Sequence, residues 1–233
     1  FGVGDRSGGE KDKEGFFHRQ VNLHIRVRWE KWGLFSCSAA LPEISWPIML
    51  QRLFANWVYG GFLAGFLILG LFLVLGGEWS ATFWIIALQL PIYMFHQYEE
   101  HDGDRFRVFV NEVIGHGREP LSLRAVFVIN VFGVWGVNLV ALLLARFVDV
   151  GFGLIGIWLT LLNGVIHIAQ GLALRRYNPG LVTAVVMFLP AGLVGVWIMS
   201  RSEHGSLGWQ ALGFAVAALI HIAIVIHVRR RLS

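Results

Sequence analysis

The run Phe95-His96-Gln97-Tyr98-Glu99-Glu100-His101 places an imidazole and two adjacent carboxylates at the end of a stretch apolar enough to cross a bilayer. Ionisable side chains inside a membrane cost several kcal/mol unless they meet a partner, a metal or water, so such a cluster marks a functional site. At about 100° per residue, His96, Glu99 and Glu100 share one helical face, while His101 points away from its centre. Two carboxylates beside an imidazole have two chemical uses. They can hold a divalent metal, or divide into an ionised base and a protonated acid, because neighbouring like charges push one pKa upward.

A second polar stripe carries Asn163 and His167, four residues apart, with Gln170 one turn further on. His221 is a third imidazole in an apolar run. His167 lies eight residues before Arg175, His221 eight before Arg229, and His96 nine before Arg105. At about 1.5 Å per residue, the three rings fall in one layer, roughly 12–14 Å inside the arginine boundary. His96, Glu99, Glu100, His167 and His221 are therefore expected as metal ligands, with Glu99 or Glu100 serving as general base. Asn130 and Asn163 are expected to support them by hydrogen bonding. Mixed imidazole and carboxylate ligation suits zinc, iron or manganese and does not choose among them. The turn Tyr177-Asn178-Pro179-Gly180, with Thr183 after it, is expected to be structural and to lie beside this site.

These residues need helices to position them, and composition supplies the class. Of 233 residues, 56% are hydrophobic and 15% charged, and the mean hydropathy is +0.62, values outside the range of a soluble domain. The apolar residues form blocks of about twenty, the length that crosses roughly 30 Å of hydrocarbon. Six blocks are expected, at about 58–75, 81–98, 125–145, 152–174, 181–199 and 209–228. They are continuously apolar rather than alternating, which excludes a strand barrel and predicts an all-α polytopic helix bundle.

Arginine sets the orientation, because short cytoplasmic loops are enriched in basic residues. Arg105, Arg107, Arg118 and Arg124 follow the second block, Arg175 and Arg176 the fourth, and Arg229, Arg230 and Arg231 the sixth. The other side has Arg146 and Arg201. Both termini are thus expected in the cytoplasm of a multi-pass plasma (inner) membrane protein, with Trp79, Trp84, Trp197 and Trp209 at the outer interface. The net charge of +4 belongs to topology and headgroup contact, not to nucleic-acid binding. The lone Cys37 forms no internal disulfide.

Residues 1–48 depart from the pattern. They are polar, mixed in charge, and contain every lysine of the chain, Lys11, Lys13 and Lys31. With Met49 standing just before the first apolar block, 1–48 is expected to be a disordered extension or mis-assigned upstream translation, and 49–233 the membrane domain.

The run His96-Gln97-Tyr98-Glu99-Glu100 resembles the signature of the HXXEE-motif family of small bacterial multispanning proteins. The Asn163/His167 pair and the Asn178-Pro179-Gly180 stretch look like its later features, and the resemblance covers about residues 50–230. It implies a fold and a shared site without implying a reaction. Paired glutamates with intramembrane His and Asn are also similar to the glutamate-dependent CAAX-type intramembrane proteases. Their motif is Glu-Glu-x-x-x-Arg, whereas four residues separate Glu100 from Arg105 here, leaving an analogy of site.

The residues themselves favour a membrane-embedded metal-dependent hydrolase or oxidoreductase acting at the cytoplasmic face on a lipid-soluble or amphipathic small molecule. The alternatives are a proton- or metal-coupled transporter, and a non-catalytic membrane assembly or sensing protein.

Overall fold

The computed structural model describes residues 46–233. Residues 1–45 of the expected extension lie outside the described residues, and the first described helix runs from Trp46.

Ten α-helical segments make up the architecture: α1 (Trp46–Leu75), α2 (Ala81–Ala87), α3 (Gln89–His101), α4 (Arg105–Phe109), α5 (Leu123–Val128), α6 (Val137–Phe147), α7 (Leu154–Leu174), α8 (Leu181–Thr183), α9 (Leu189–Ser200) and α10 (Leu207–Leu232). A π-helical stretch, Ile129–Gly136, joins α5 to α6, and a π turn, Ala184–Phe188, joins α8 to α9. Five continuous helices are long and apolar enough to cross a membrane: Pro47–Glu78, Leu123–Phe147, Val150–Leu174, Leu181–Ser200 and Leu207–Leu232. No strand is present among the described residues. The chain is a membrane-type, all-helical bundle.

The remaining expected span exists in two pieces, α2 and α3, which meet at Leu88. Pro91 gives the reason. It has no N–H to return to the carbonyl of Ala87, and its ring crowds that carbonyl, so the ladder is interrupted one turn earlier. Hydrogen bonds from Leu88 N to Trp84 O (3.0 Å) and from Ile92 N to Leu88 O (3.1 Å) carry the backbone across the break. In the fifth span, Pro190 follows the π turn and disturbs the ladder in the same way.

The turns follow from their residues. Ser80 caps α2 by accepting from Phe83 N at 3.2 Å, and Ser122 caps α5 by accepting from Ala125 N at 3.2 Å. Such caps satisfy donors that the first helical turn leaves free. At one end of the bundle Trp79 and Trp84 lie 5.2 Å apart, and the Trp84 indole donates to Gly76 O at 3.1 Å.

Packing divides the interior by depth. Ile85, Ile86, Ala145, Leu154, Ile157 and Met199 fill the end where α2 begins. Tyr93, Val134, Leu159, Phe188 and Ala217 fill the middle. Trp57, Val58, Phe109, Val110, Leu121 and Val126 close the other end, where the arginine-bearing turns lie. Helix α7 is the hub: α10 packs along it, and so does the fifth span. Glycines allow that second approach. A Cβ on Gly192 would lie 2.6 Å from Leu161 Cβ, and one on Gly195 2.8 Å from Ile157 Cγ2, a small-residue contact of the kind that membrane helices use to pack closely.

Candidate functional site

Two parallel stripes build the site. On α3, Gln89, Tyr93, His96 and Glu100 follow a four-three-four spacing, and on α7 the same spacing recurs in Gly156, Thr160, Asn163 and His167. Residues so spaced lie along one face of a helix, and the two faces oppose each other. Tyr93 marks the contact, its hydroxyl donating to Leu159 O at 2.9 Å.

At the end of these stripes His96, Glu100 and His167 come together. They are 0, 6 and 3% exposed, and one ligand atom from each lies within 4.8 Å of the other two. Glu100 Oε2 is 3.5 Å from His96 Nε2, and Glu100 Oε1 is 3.5 Å from His167 Nε2. These separations exceed a hydrogen bond. They match the spacing of neighbouring ligands around a tetrahedral ion, about 3.3–3.6 Å for bonds of about 2.0–2.2 Å.

The surroundings fix which imidazole nitrogen carries the hydrogen. Asn178 Nδ2 donates to His167 O at 2.9 Å, so its Oδ1 must be the atom 2.8 Å from His167 Nδ1. A carboxamide oxygen only accepts, so His167 Nδ1 bears the proton and Nε2 presents a lone pair. For His96 the chain is longer. Thr183 Oγ1 donates to Glu99 Oε2 at 2.5 Å, leaving its lone pair to accept from His96 Nδ1 at 2.8 Å. His96 Nε2 is then an acceptor as well, and it is buried with no hydrogen-bond partner. Two nitrogen lone pairs and a carboxylate face one another with no donor between them. That arrangement has the donor set and spacing to hold a metal ion, and the oriented outer hydrogen bonds are those that metal-binding histidines require.

Glu99 has a different occupation. Its oxygens accept from Thr183 N (2.7 Å), Val182 N (3.1 Å) and the Tyr177 hydroxyl (2.8 Å), besides Thr183 Oγ1. The carboxylate caps the start of the fifth span, where free N–H groups and the helix dipole favour negative charge. Burial and the adjacent Glu99 carboxylate raise the Tyr177 phenol above its usual range, so it remains a donor. The two glutamates expected to act together are thus divided: Glu100 faces the imidazoles, and Glu99 is consumed in holding Thr183.

The turn between α7 and α8 lies against the rings. Gly180 has φ +93°, and a Cβ there would lie 2.8 Å from His96 Cε1 and 2.9 Å from His167 Cε1. Both the backbone conformation and the close approach call for glycine. Phe188 stacks on His96 with ring centroids 4.0 Å apart. Asn178 and Thr183, expected only as parts of a turn, thus orient the two histidines; an amide and a hydroxyl flanking Pro-Gly at the end of a polar stripe were their signal.

His221, expected in the same layer, stands outside the group. Its Nδ1 donates to Ala217 O at 2.8 Å, and α10 approaches α7 rather than α3. Depth along a helix does not fix the direction in which a residue points. Asn130 accepts from Gln97 Nε2 at 2.7 Å and donates to Val126 O at 2.9 Å, and the Trp135 indole donates to Gln97 Oε1. It therefore braces α3 without touching the imidazoles. Asn163 lines a cavity beside His167. His101, expected to point away, has Nε2 3.3 Å from Glu100 Oε2 and lies between Trp57 and Phe106.

That cavity, of about 460 Å³, reaches Glu100 and His167 and fills a cleft between the third span and α10. Val126, Ile129 and Val134 form one wall; Ile220, Ile224 and Val228 form the other. Its polar groups besides the site pair include Asn163, Gln170, His221 and Arg229.

Fold and site together define a polytopic helical membrane protein with a buried two-histidine, one-glutamate centre open to an apolar cleft. Residues 87–195 match the model of a family described as a protein of unknown function with HXXEE motif. No curated protein and no solved structure matches the chain.

Proposed function

We propose that the protein is a membrane-embedded, metal-dependent enzyme that acts on a lipid-soluble or amphipathic small molecule entering the cleft between the third span and α10. The observation that carries this reading is the convergence of His96 Nε2, His167 Nε2 and the Glu100 carboxylate, with both imidazole tautomers fixed from behind. Two imidazoles and one carboxylate are a ligand set shared by zinc hydrolases and non-haem iron oxygenases. A bound metal would supply Lewis acidity and water activation if zinc, or oxidation chemistry if iron.

The chain's own residues do the remainder. Glu99, Thr183 and Asn178 hold the rings in position, and Phe188 and Gly180 close the side of His96 away from the cleft. The apolar walls take up hydrocarbon and exclude water, and Asn163, Gln170 and His221 offer polar contacts beside the centre. The arginine-bearing turns favour an opening on the cytoplasmic face of the plasma membrane. The packed cluster around Ile85, Leu154 and Ile157 favours a site reached from one side over a transport route through the bilayer.

Elemental analysis of the detergent-purified full chain, isolated without chelator, tests this. The expected result is about one equivalent of zinc, iron or manganese, lost in His96→Ala, His167→Ala and Glu100→Ala variants that keep a wild-type helical spectrum. Wild-type protein without metal, or variants that retain it, would overturn the reading and leave a proton as the shared cation.

A further inference from the structure

Gln89 stands seven residues before His96 on α3, and Thr160 seven before His167 on α7. Both therefore belong to a second polar layer, about 10 Å deeper along the same helices. Asn138 of α6 completes it. A Cβ on Gly156 would lie 2.8 Å from Asn138 Oδ1 and 3.6 Å from Gln89 Cβ, so these two side chains meet over a position that has none. Thr160 is one turn from Gly156 on the same face of α7. Gln89, Asn138 and Thr160 are 1, 3 and 0% exposed.

Each amide has a fixed orientation. Gln89 Nε2 donates to Ile85 O at 2.7 Å, and Asn138 Nδ2 donates to Val134 O at 3.0 Å, each to the carbonyl one turn earlier in its own span. Gln89 Oε1, Asn138 Oδ1 and Thr160 Oγ1 have no hydrogen-bond partner in the protein. Unpaired polar atoms at this depth are costly, and neither lipid nor the neighbouring apolar side chains can satisfy them.

We propose that this node is a binding site for one water molecule, which ties α3, α6 and α7 together and holds α3 and α7 in the register that sets the spacing of His96 and His167. The count of donors and acceptors selects the ligand. Two amide oxygens only accept, and the threonine hydroxyl brings one hydrogen that needs an acceptor. Water donates twice and accepts once, completing all three; buried waters with about three such bonds are regular parts of protein interiors. A monovalent cation would satisfy the oxygens but offer nothing to the hydroxyl hydrogen. The site does not depend on metal binding or on catalysis.

Thr160→Val and Thr160→Ser, compared with wild type by thermal melting of the full chain in detergent, test the node. Valine is nearly isosteric and removes only the hydroxyl, whereas serine keeps it and loses a methyl group. Bound water predicts that serine melts above valine, with valine about 3 °C or more below wild type. A dry node predicts the reverse, because removing an unpaired hydroxyl relieves a penalty, and that order would overturn the proposal. A midpoint that rises when sodium replaces choline would overturn it in favour of a cation. Should both variants fail to fold, a structure of the wild-type chain that shows ordered solvent decides. Density within hydrogen-bonding reach of Gln89, Asn138 and Thr160 supports the site; direct contact among the three side chains refutes it.

Discussion

His96 and His167 owe their disposition to what their Nδ1 atoms meet. Asn178 oxygen accepts from one ring and Thr183 oxygen from the other, so both Nε2 atoms face Glu100 as lone pairs. Removing either support while keeping the ligands should weaken metal binding about 10- to 100-fold. Metal titration of Thr183→Val and Asn178→Leu checks this; affinities equal to wild type would show that the supports are only structural. Gly180→Ala combines a strained left-handed φ with contacts under 3 Å to both rings. It should destabilise the chain by about 1–2 kcal/mol and lower metal content, measurable by melting and elemental analysis on the same sample. Glu99→Gln should keep part of the capping while disturbing Thr183, and should bind metal better than Glu100→Gln.

Helices deliver these side chains by register and by close approach. The equal four-three-four stripes on α3 and α7 put polar residues opposite polar residues at successive depths, with the break that Pro91 causes at Leu88 lying just before the α3 stripe begins. The fifth span reaches α7 through Gly192 and Gly195, and that contact holds Thr183 over Glu99 and His96. Gly192→Leu would need space already taken by Leu161. The expected outcome is a loss of about 2–3 kcal/mol from overpacking, together with reduced metal binding, although Gly192 lies well away from the imidazoles. Melting and metal titration in parallel test whether the two effects move together; lost stability with unchanged affinity would show that α9 can shift without moving Thr183.

At the level of the whole molecule, α10 lies along α7 and leaves a cleft against the third span. That cleft is large enough for a small ligand and touches the centre, and its size falls in the usual range of ligand sites. Ile224→Trp should fill part of it. The metal should remain, since Ile224 is not among the ligands, while binding of a fluorescent fatty acid or prenyl probe should weaken at least tenfold. Unchanged probe affinity would place substrate entry elsewhere.

Much of this organisation was legible in the residues. Blocks of about twenty apolar residues specify membrane helices because hydrocarbon allows few other backbone arrangements, and His96, Glu100 and His167 stood out because polar groups in such blocks need partners. Depth, too, could be counted along each helix. What one chain in one dimension does not contain is azimuth and neighbour choice. Glu99 and Glu100 are adjacent in sequence and differ by about 100° around α3, so one faces the imidazoles and the other caps the fifth span. His221 shares their level, but α10 packs against a different side of α7. Asn178 and Thr183 have the sequence setting of turn residues, and only the folding of that turn against the rings brings them to the histidines. Sequence determined the class of the protein and the chemical types at its centre; tertiary packing decided which of those groups meet, because that depends on how separate helices rotate and approach.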